Sequence, residues 1–298
     1  MSACLLRTRG IVFLVVLHVI PVIAIVRGPT ALDWLTCAAL YLTFVLGGGV
    51  GLHRYFAHRA FRTSRAFQFA LALLASTAFS EPIGFAGKHR LHHRHSDRAG
   101  DVHAPEQGFW YCWFGSLFGR PDRAAEIRAM APDLTRYREL VWLHRWQYAP
   151  PLALGAVTWW LGGFSLFAVG FVLSRVLILH AVSATNFFCH RSGHRPFATH
   201  DSSTNNVLIA LLTFGEGWHN NHHRFPRAAN AGIRWWELDP IYYMIRLLAI
   251  VGLVWGLREI PSHFRHATSR QRPPVAAGRA GSLAQRSARA LPTSLSKE

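Results

Sequence analysis

The sequence predicts an all-α integral membrane protein: four transmembrane helices bearing a cytosolic helical cap, with a His-rich dimetal site in that cap. Three observations lead there. The segments Gly10–Val26, Trp34–Leu52 and Trp146–Ser174 contain no Asp, Glu, Lys or Arg, and crossing a bilayer takes about 20 apolar residues. The spacing H-x-x-H-H occurs twice, at His89, His92 and His93 and again at His219, His222 and His223. The formal charge of +17 lies largely beside the apolar segments. That disposition is expected of cytoplasmic loops against anionic headgroups and argues against a nucleic-acid partner.

A first span is expected at about 10–28. Arg7 and Arg9 precede it as in a signal peptide, but Pro21 to Gly28 offers no small-residue cleavage site, so the span is retained. His18, alone in that span, reads as a packed side chain. The tight Gly28-Pro29-Thr30 turn returns the chain into a second span at about 32–52. Gly47, Gly48 and Gly49 near its end would let another helix approach closely. Ala66–Ser80 is uncharged but short and suits an interfacial or re-entrant helix. The aromatic run Gly108–Phe118 suits the membrane interface, and the mixed-charge stretch at about 120–145 suits solvent.

From Trp146 to His190 the only fixed charge is Arg175. Gly162-Gly163 divides this stretch into spans three, about 147–162, and four, about 164–187. Arg175 should face the protein interior, against a carbonyl, a carboxylate or a substrate. Four crossings return the chain to the side of the basic N-terminus. The cap then comprises about 53–145 and 188–267, with Ile241–Leu257 lying on the membrane or beneath the site. The Arg-, Ser- and Pro-rich tail at about 268–298 has little to bury and is expected to be disordered. Four Cys with no C-x-x-C pair exclude a zinc ribbon and make disulfides unexpected.

On an α-helix, positions i, i+3 and i+4 share a face, so each H-x-x-H-H box aims three imidazoles at one point. His53 and His58 precede the boxes at the membrane exit. Five positions apart, they would sit about 140° apart on an α-helix, and share a metal only if the helix ends between them or the site lies beyond its end. Eight imidazoles suit two ions. Neutral imidazole selects Fe, Zn, Cu or Ni without separating them, while duplication argues for a redox or catalytic pair over a closed structural zinc site. Asp97, Asp101, His95 and His103 read as loop residues or as acceptors behind the ligands. Glu216 reads as an acceptor for His219 or as a residue favoured at a helix N-terminus.

These motifs resemble a known family. H-R-x-x-x-H at 53–58, H-R-x-H-H at 89–93, N-x-x-x-H at 186–190 and G-E-G-W-H-N-N-H-H-x-F-P at 215–226 are similar, in order and spacing, to the membrane-bound acyl-CoA Δ9-desaturases of the stearoyl-CoA type. The resemblance implies a membrane desaturase domain over 1–267 with two irons in a cytosolic cap. It implies His53, His58, His89, His92, His93, His190, His219, His222 and His223 as ligands, with Asn186 reaching one iron through water. It further implies insertion of a cis double bond into a saturated fatty acyl chain on coenzyme A or another carrier, with O2 as co-substrate. A membrane lipid hydroxylase is the alternative for the same class of site. Two electrons would come from an external ferredoxin-type or b-type cytochrome donor, because no haem-binding H-P-G-G motif occurs in the chain. The expected location is a bacterial inner membrane, with the metal site and both termini cytoplasmic. Arg175, Ser183 and Trp235 are the candidate acyl-chain contacts. Ser183 stands where animal members carry a Trp lining the acyl tunnel, and Trp235 has core or interface anchoring as its competing role.

Overall fold

A computed structural model describes residues 3–115 and 123–266. The expected tail at 268–298 and Phe118 of the aromatic run lie outside them. The described chain is mostly helical, and its apolar bundle carries the histidines at one end.

Helix α1 spans Ala3–Val26 and α2 spans Ala31–Gly47. Between them Gly28 adopts φ +81°, a left-handed conformation that costs Gly little. Thr30 starts α2 with a reciprocal cap: its backbone N–H donates to Asp33 Oδ2 at 2.7 Å, and its Oγ1 accepts from Asp33 N at 3.4 Å. The helix then continues as a π-helix over Gly48–Ala57. Two of the three glycines serve as expected, while Gly48 has no neighbour within 4 Å of where a Cβ would stand. A Cβ on Gly49 would lie 2.3 Å from Ile241 Cδ1, and one on Gly47 2.8 Å from Leu74 Cδ2.

A two-residue strand β1, Arg62–Thr63, leads into α3, Arg65–Ser76, and α4, Pro82–His95. Glu81 caps α4 by accepting from Ile83 N at 2.8 Å and Gly84 N at 2.6 Å, with Pro82 in the first turn. Helices α5 (Phe109–Phe114), α6 (Ala124–Ala129), α7 (Pro132–Thr135) and α8 (Arg138–Arg145) follow. Leu140 and Leu143 of α8 join Phe56, Leu71 and Ile83 in the main core. Arg90 then locks α4 to the end of the π-helix, donating to Phe56 O at 2.7 Å, Ala57 O at 2.9 Å and Asp133 Oδ2 at 3.0 Å.

Helix α9 spans Ala149–Ser165 and passes through a π-helical stretch, Leu166–Leu173, into α10, Ser174–Phe188. It is not one straight rod. Gly162 and Gly163 leave helical geometry, with Gly163 at φ +60°. A Cβ on Gly155 would lie 3.1 Å from the ring of Phe171, whereas residues that far apart along a straight helix are separated by about 24 Å. The chain therefore folds back at the expected Gly-Gly pair. Two helical stretches, Ala31–Ala57 and Ala149–Phe188, are long and apolar enough to cross a membrane, while Gly10–Val26 is shorter. Exposed Val12, Val22, Leu35, Leu152 and Trp160 spread apolar surface over α1, α2 and α9, as a bilayer-facing bundle requires.

Helices α11 (Val207–Leu212), α12 (His219–Arg224) and α13 (Pro240–Ile250) complete the cap, and β2, Val254–Trp255, pairs antiparallel with β1. The apolar helix expected over Ile241–Leu257 thus ends at Ile250. Gly252, at φ +75°, turns the chain into β2.

Candidate metal centre

Local winding decides where His53 points. In the π-helix the His58 amide bonds five residues back to His53 O, at 3.2 Å. That winding adds a residue to the turn and makes i+5 a same-face neighbour. The His53 and His58 rings consequently lie 5.0 Å apart, and the helix ends between them as expected, at Ala57, with His58 as its C-cap.

The nine histidines gather into two clusters. One contains His53, His58, His89 and His222, and the other His92, His190, His219 and His223, with candidate ligand atoms within 4.8 Å of one another in each. His93 reaches the first cluster, its Nε2 lying 3.0 Å from both His89 Nε2 and His222 Nε2. Its ring centroid is also 4.4 Å from that of His223 in the second. Further Nε2–Nε2 separations are 3.0 Å for His53–His222, 2.7 Å for His58–His89, 3.1 Å for His190–His219 and 3.0 Å for His219–His223.

Carboxylates fix the tautomers. His92 Nδ1 donates to Asp101 at 2.9 Å, His190 Nδ1 to Asp97 Oδ2 at 3.2 Å and His223 Nδ1 to Asp201 at 2.6 Å; His53 Nδ1 meets Glu216. Each of these imidazoles therefore presents an unprotonated Nε2 to its cluster, as metal-bound His does. Burial, then the neighbouring imidazoles, holds His58, His89, His92, His93, His219 and His222 well below the usual range, and His223 is also lowered. The result is convergence of lone pairs with too few protons to bridge them. His92 Nε2 is buried with no hydrogen-bond partner at all. Nitrogen ligands at about 2.0–2.1 Å from a metal and roughly at right angles lie about 3 Å apart, which is the spacing seen. The donor set fits metal binding.

The carboxylates respond in turn. Although burial pushes Asp97 up, its bond with His190 brings it down to about 2, and the His223 bond likewise lowers Asp201 against burial. Asp101 is raised by burial to about 6. Glu216 accepts from His53 and not from the expected His219. Its other oxygen lies 3.5 Å from Arg54, and those two partners lower it against burial. Arg54 is buried and forks onto Asp239, with both contacts at 2.9 Å, while donating to Ala229 O. Asp239 also accepts from Ala231 N at 2.7 Å and Tyr242 N at 3.0 Å. Asn220 and Asn221, between the ligands of the last box, bracket its loops: Asn220 pairs with the Phe197 backbone and Asn221 Nδ2 donates to Ala231 O and Glu237.

The remaining expected site residues divide. Asn186 is half-buried on the last turn of α10, four residues before His190, and belongs to neither cluster. Ser183 is buried and donates to Trp113 O at 2.7 Å. Arg175 is buried as expected, donating to Thr77 O at 3.1 Å beyond the end of α3, with Phe44 3.3 Å from its guanidinium. Trp235 stands apart, 91% exposed, so its indole forms no wall with the rest. His103, whose ring lies 4.1 Å from that of His92, forms a third potential ligand group with His92 and Asp101.

An apolar helical bundle carrying two adjoining clusters of imidazoles, each able to hold a metal ion, defines a polyhistidine protein with metal-binding capacity. The chain belongs to the fatty acid desaturase family, whose model matches residues 31–274. It is 34% identical over 262 residues to an icosanoyl-CoA 5-desaturase of Limnanthes douglasii, covering 84% of this chain and 72% of that one. It is also 33% identical over 235 residues to an sn-1 stearoyl-lipid 9-desaturase of Anabaena variabilis, covering 77% and 86%. A Delta-9 acyl-lipid desaturase of Arabidopsis thaliana is 33% identical over 234 residues, covering 76% of each. The protein is thus a fatty acid desaturase and an oxidoreductase.

Proposed function

We propose that this desaturase inserts a cis double bond at the Δ9 position of a saturated fatty acyl chain carried on coenzyme A or on a lipid. The observation that carries the reading is the pair of imidazole clusters joined at His93. His53, His58, His89, His93 and His222 would hold one iron, and His92, His190, His219 and His223 the other, with Asn186 reaching the latter through water. Iron there supplies the redox chemistry with O2 that abstraction from an unactivated methylene requires. In the overall reaction the acyl chain gives up two hydrogens, an external donor supplies two electrons, two protons are taken up, and O2 leaves as two waters.

The protein's share is positional. Four carboxylates hold the Nδ1 protons so that the Nε2 atoms stay free, and Arg54 steadies Glu216 behind His53. Family membership and the apolar surface support a four-span topology, with the cap on the cytoplasmic side beside Lys88, Arg90, Arg94 and Arg98. A donor of ferredoxin or b-type cytochrome kind, with an acidic surface, would suit this basic cap. Relatives include both 5- and 9-desaturases, and the Δ9 reading rests on the motif resemblance.

Expression in a host lacking unsaturated fatty acids, followed by mass spectrometry of its lipids, tests the proposal. Cis-Δ9 monoenes are expected. Hydroxylated chains would instead assign a hydroxylase, and unchanged lipids with iron bound and a competent donor present would defeat the reading.

A further inference from the structure

A second polar cluster lies away from the metal centre, within the apolar bundle. Trp113 of α5 donates its indole N–H to His180 Nδ1 at 2.9 Å. Trp is a donor only, so His180 Nδ1 accepts and the His180 proton sits on Nε2. That atom lies 3.0 Å from His18 Nε2, which must then accept. The remaining His18 proton, on Nδ1, is donated to Leu14 O at 2.7 Å. Every link has one donor and one acceptor, and the chain of neutral groups runs from α5 through α10 to α1. Where water is scarce, each broken link would leave an unpaired polar group. His180 uses Nδ1 as an acceptor, so the pair is a clamp and not a second metal site.

What it clamps is an indole against one face of α10, the helix that ends just before His190. His180, Ser183 and Phe187 occupy positions i, i+3 and i+7, one stripe of α10, and α10 leads to His190. Trp113 touches that stripe along its length. Its ring centroid is 6.0 Å from that of His180 and 6.3 Å from that of Phe187, and its carbonyl accepts from Ser183 Oγ at 2.7 Å. Phe109 lies behind it, at 4.8 Å. A single residue is thus anchored by its ring nitrogen, by its backbone oxygen and by tilted and edge-on ring contacts.

We propose that Trp113 is a specificity-determining residue, the wall that sets how much of an acyl chain lies on one side of the metal centre. His180 and His18 are positioning residues that hold its ring. The inference rests on the desaturase reading above, since it needs an acyl chain passing from bilayer to cap along α10.

The test compares the full-length parent with Trp113→Ala, Trp113→Phe and His18→Leu in membranes of the same desaturase-deficient host fed saturated acids of two lengths. Double-bond position and chain length are read by mass spectrometry, with iron per chain counted on the purified proteins. Trp113→Ala is expected to change the ratio of long to short products, or of double-bond positions, about 10-fold, the discrimination a hydrophobic boundary typically supplies. Trp113→Phe, which keeps the ring and loses the N–H, and His18→Leu should shift the profile in the same direction by less, with iron unchanged. A profile within about twofold of the parent for Trp113→Ala, at equal iron, overturns the proposal. If Trp113→Ala does not accumulate, His18→Leu decides: a shifted profile supports the clamp and an unshifted one overturns it. A parent that forms no unsaturated product defeats the functional reading instead.

Discussion

Replacing Asp201 by Asn should weaken one metal site and spare the other. Asp201 Oδ2 accepts the Nδ1 proton of His223 at 2.6 Å, while Oδ1 accepts from Ser203 N at 3.1 Å, Ser203 Oγ at 2.5 Å and Thr199 Oγ1 at 2.8 Å. All four neighbours are donors. An Asn can turn its oxygen to only one side, so its NH2 must face either His223 or the Ser203 and Thr199 donors. Losing the charge on a buried hydrogen bond that contributes about 1.5–3 kcal/mol roughly halves it, and the mismatched amide adds to that loss. A net penalty of about 1.5–2 kcal/mol corresponds to about 10- to 30-fold weaker binding, within the range found when such supporting carboxylates are removed. Competition with a chromophoric chelator, following the two irons separately, is the assay. The site holding His223 should release iron at lower chelator concentration, and the site holding His53 at the parental one. Equal weakening of both, or of neither, would refute the account of what the carboxylate does.

Four further outcomes follow. Arg54→Met leaves Asp239 and Glu216 without their shared cation. Removing one member of a buried ion pair costs about 3–5 kcal/mol, and the backbone donors to Asp239 place this case near about 3; chemical denaturation in detergent measures it. Gly217→Ala would set a Cβ 2.1 Å from Ala210 N. Backbone meets it, so the variant should accumulate poorly in membranes and lose the packing of Trp218 and His219. His222→Ala should abolish product formation while the protein stays folded, as judged by circular dichroism; an active variant would remove His222 from the ligand set. Finally, Glu81 lies 2.9 Å from His144 Nδ1 and raises the His144 pKa. A raised folded value stabilises fully below the unfolded value of about 6.5 and fades as pH rises through the folded one. The contribution is at most about 1 kcal/mol because solvent screens the pair. Melting curves against pH should show that loss in the parent and not in His144→Gln.

How far the site could be read beforehand depended on whether a residue's partner lay one turn away or across the fold. The H-x-x-H-H triplets needed only helical periodicity, and both lie on helices as expected, but neither aims its three imidazoles at one point. His89 joins the first cluster and His92 the second, and His222 joins the first while His219 and His223 join the second, because neighbouring positions on a helix straddle the seam between two sites. His53 and His58 needed the winding of the helix, and the three consecutive glycines before them were read as room for a neighbouring helix, with nothing to identify a π-helix. His190 was visible only through the motif resemblance. Asp201, 22 positions from His223, and Asp239, 185 positions from Arg54, carry no local pattern, because tertiary folding alone brings them together. Glu216 was singled out, but adjacency in the chain suggested His219 where the structure supplies His53. In the bundle, Gly162-Gly163 marked the turn correctly, whereas the helix after Pro240 ran shorter than its apolar composition suggested. Hydrophobicity reports what is buried or lipid-facing and does not register a left-handed Gly252.

The most direct test of the central claim is X-ray absorption at the iron edge of the purified protein, with iron counted per chain. Two irons per chain, each surrounded by nitrogen and oxygen scatterers with nitrogen at about 2.1 Å and no sulfur, are predicted. A single ion, or sulfur in the coordination sphere, would contradict the two imidazole clusters as the metal centre.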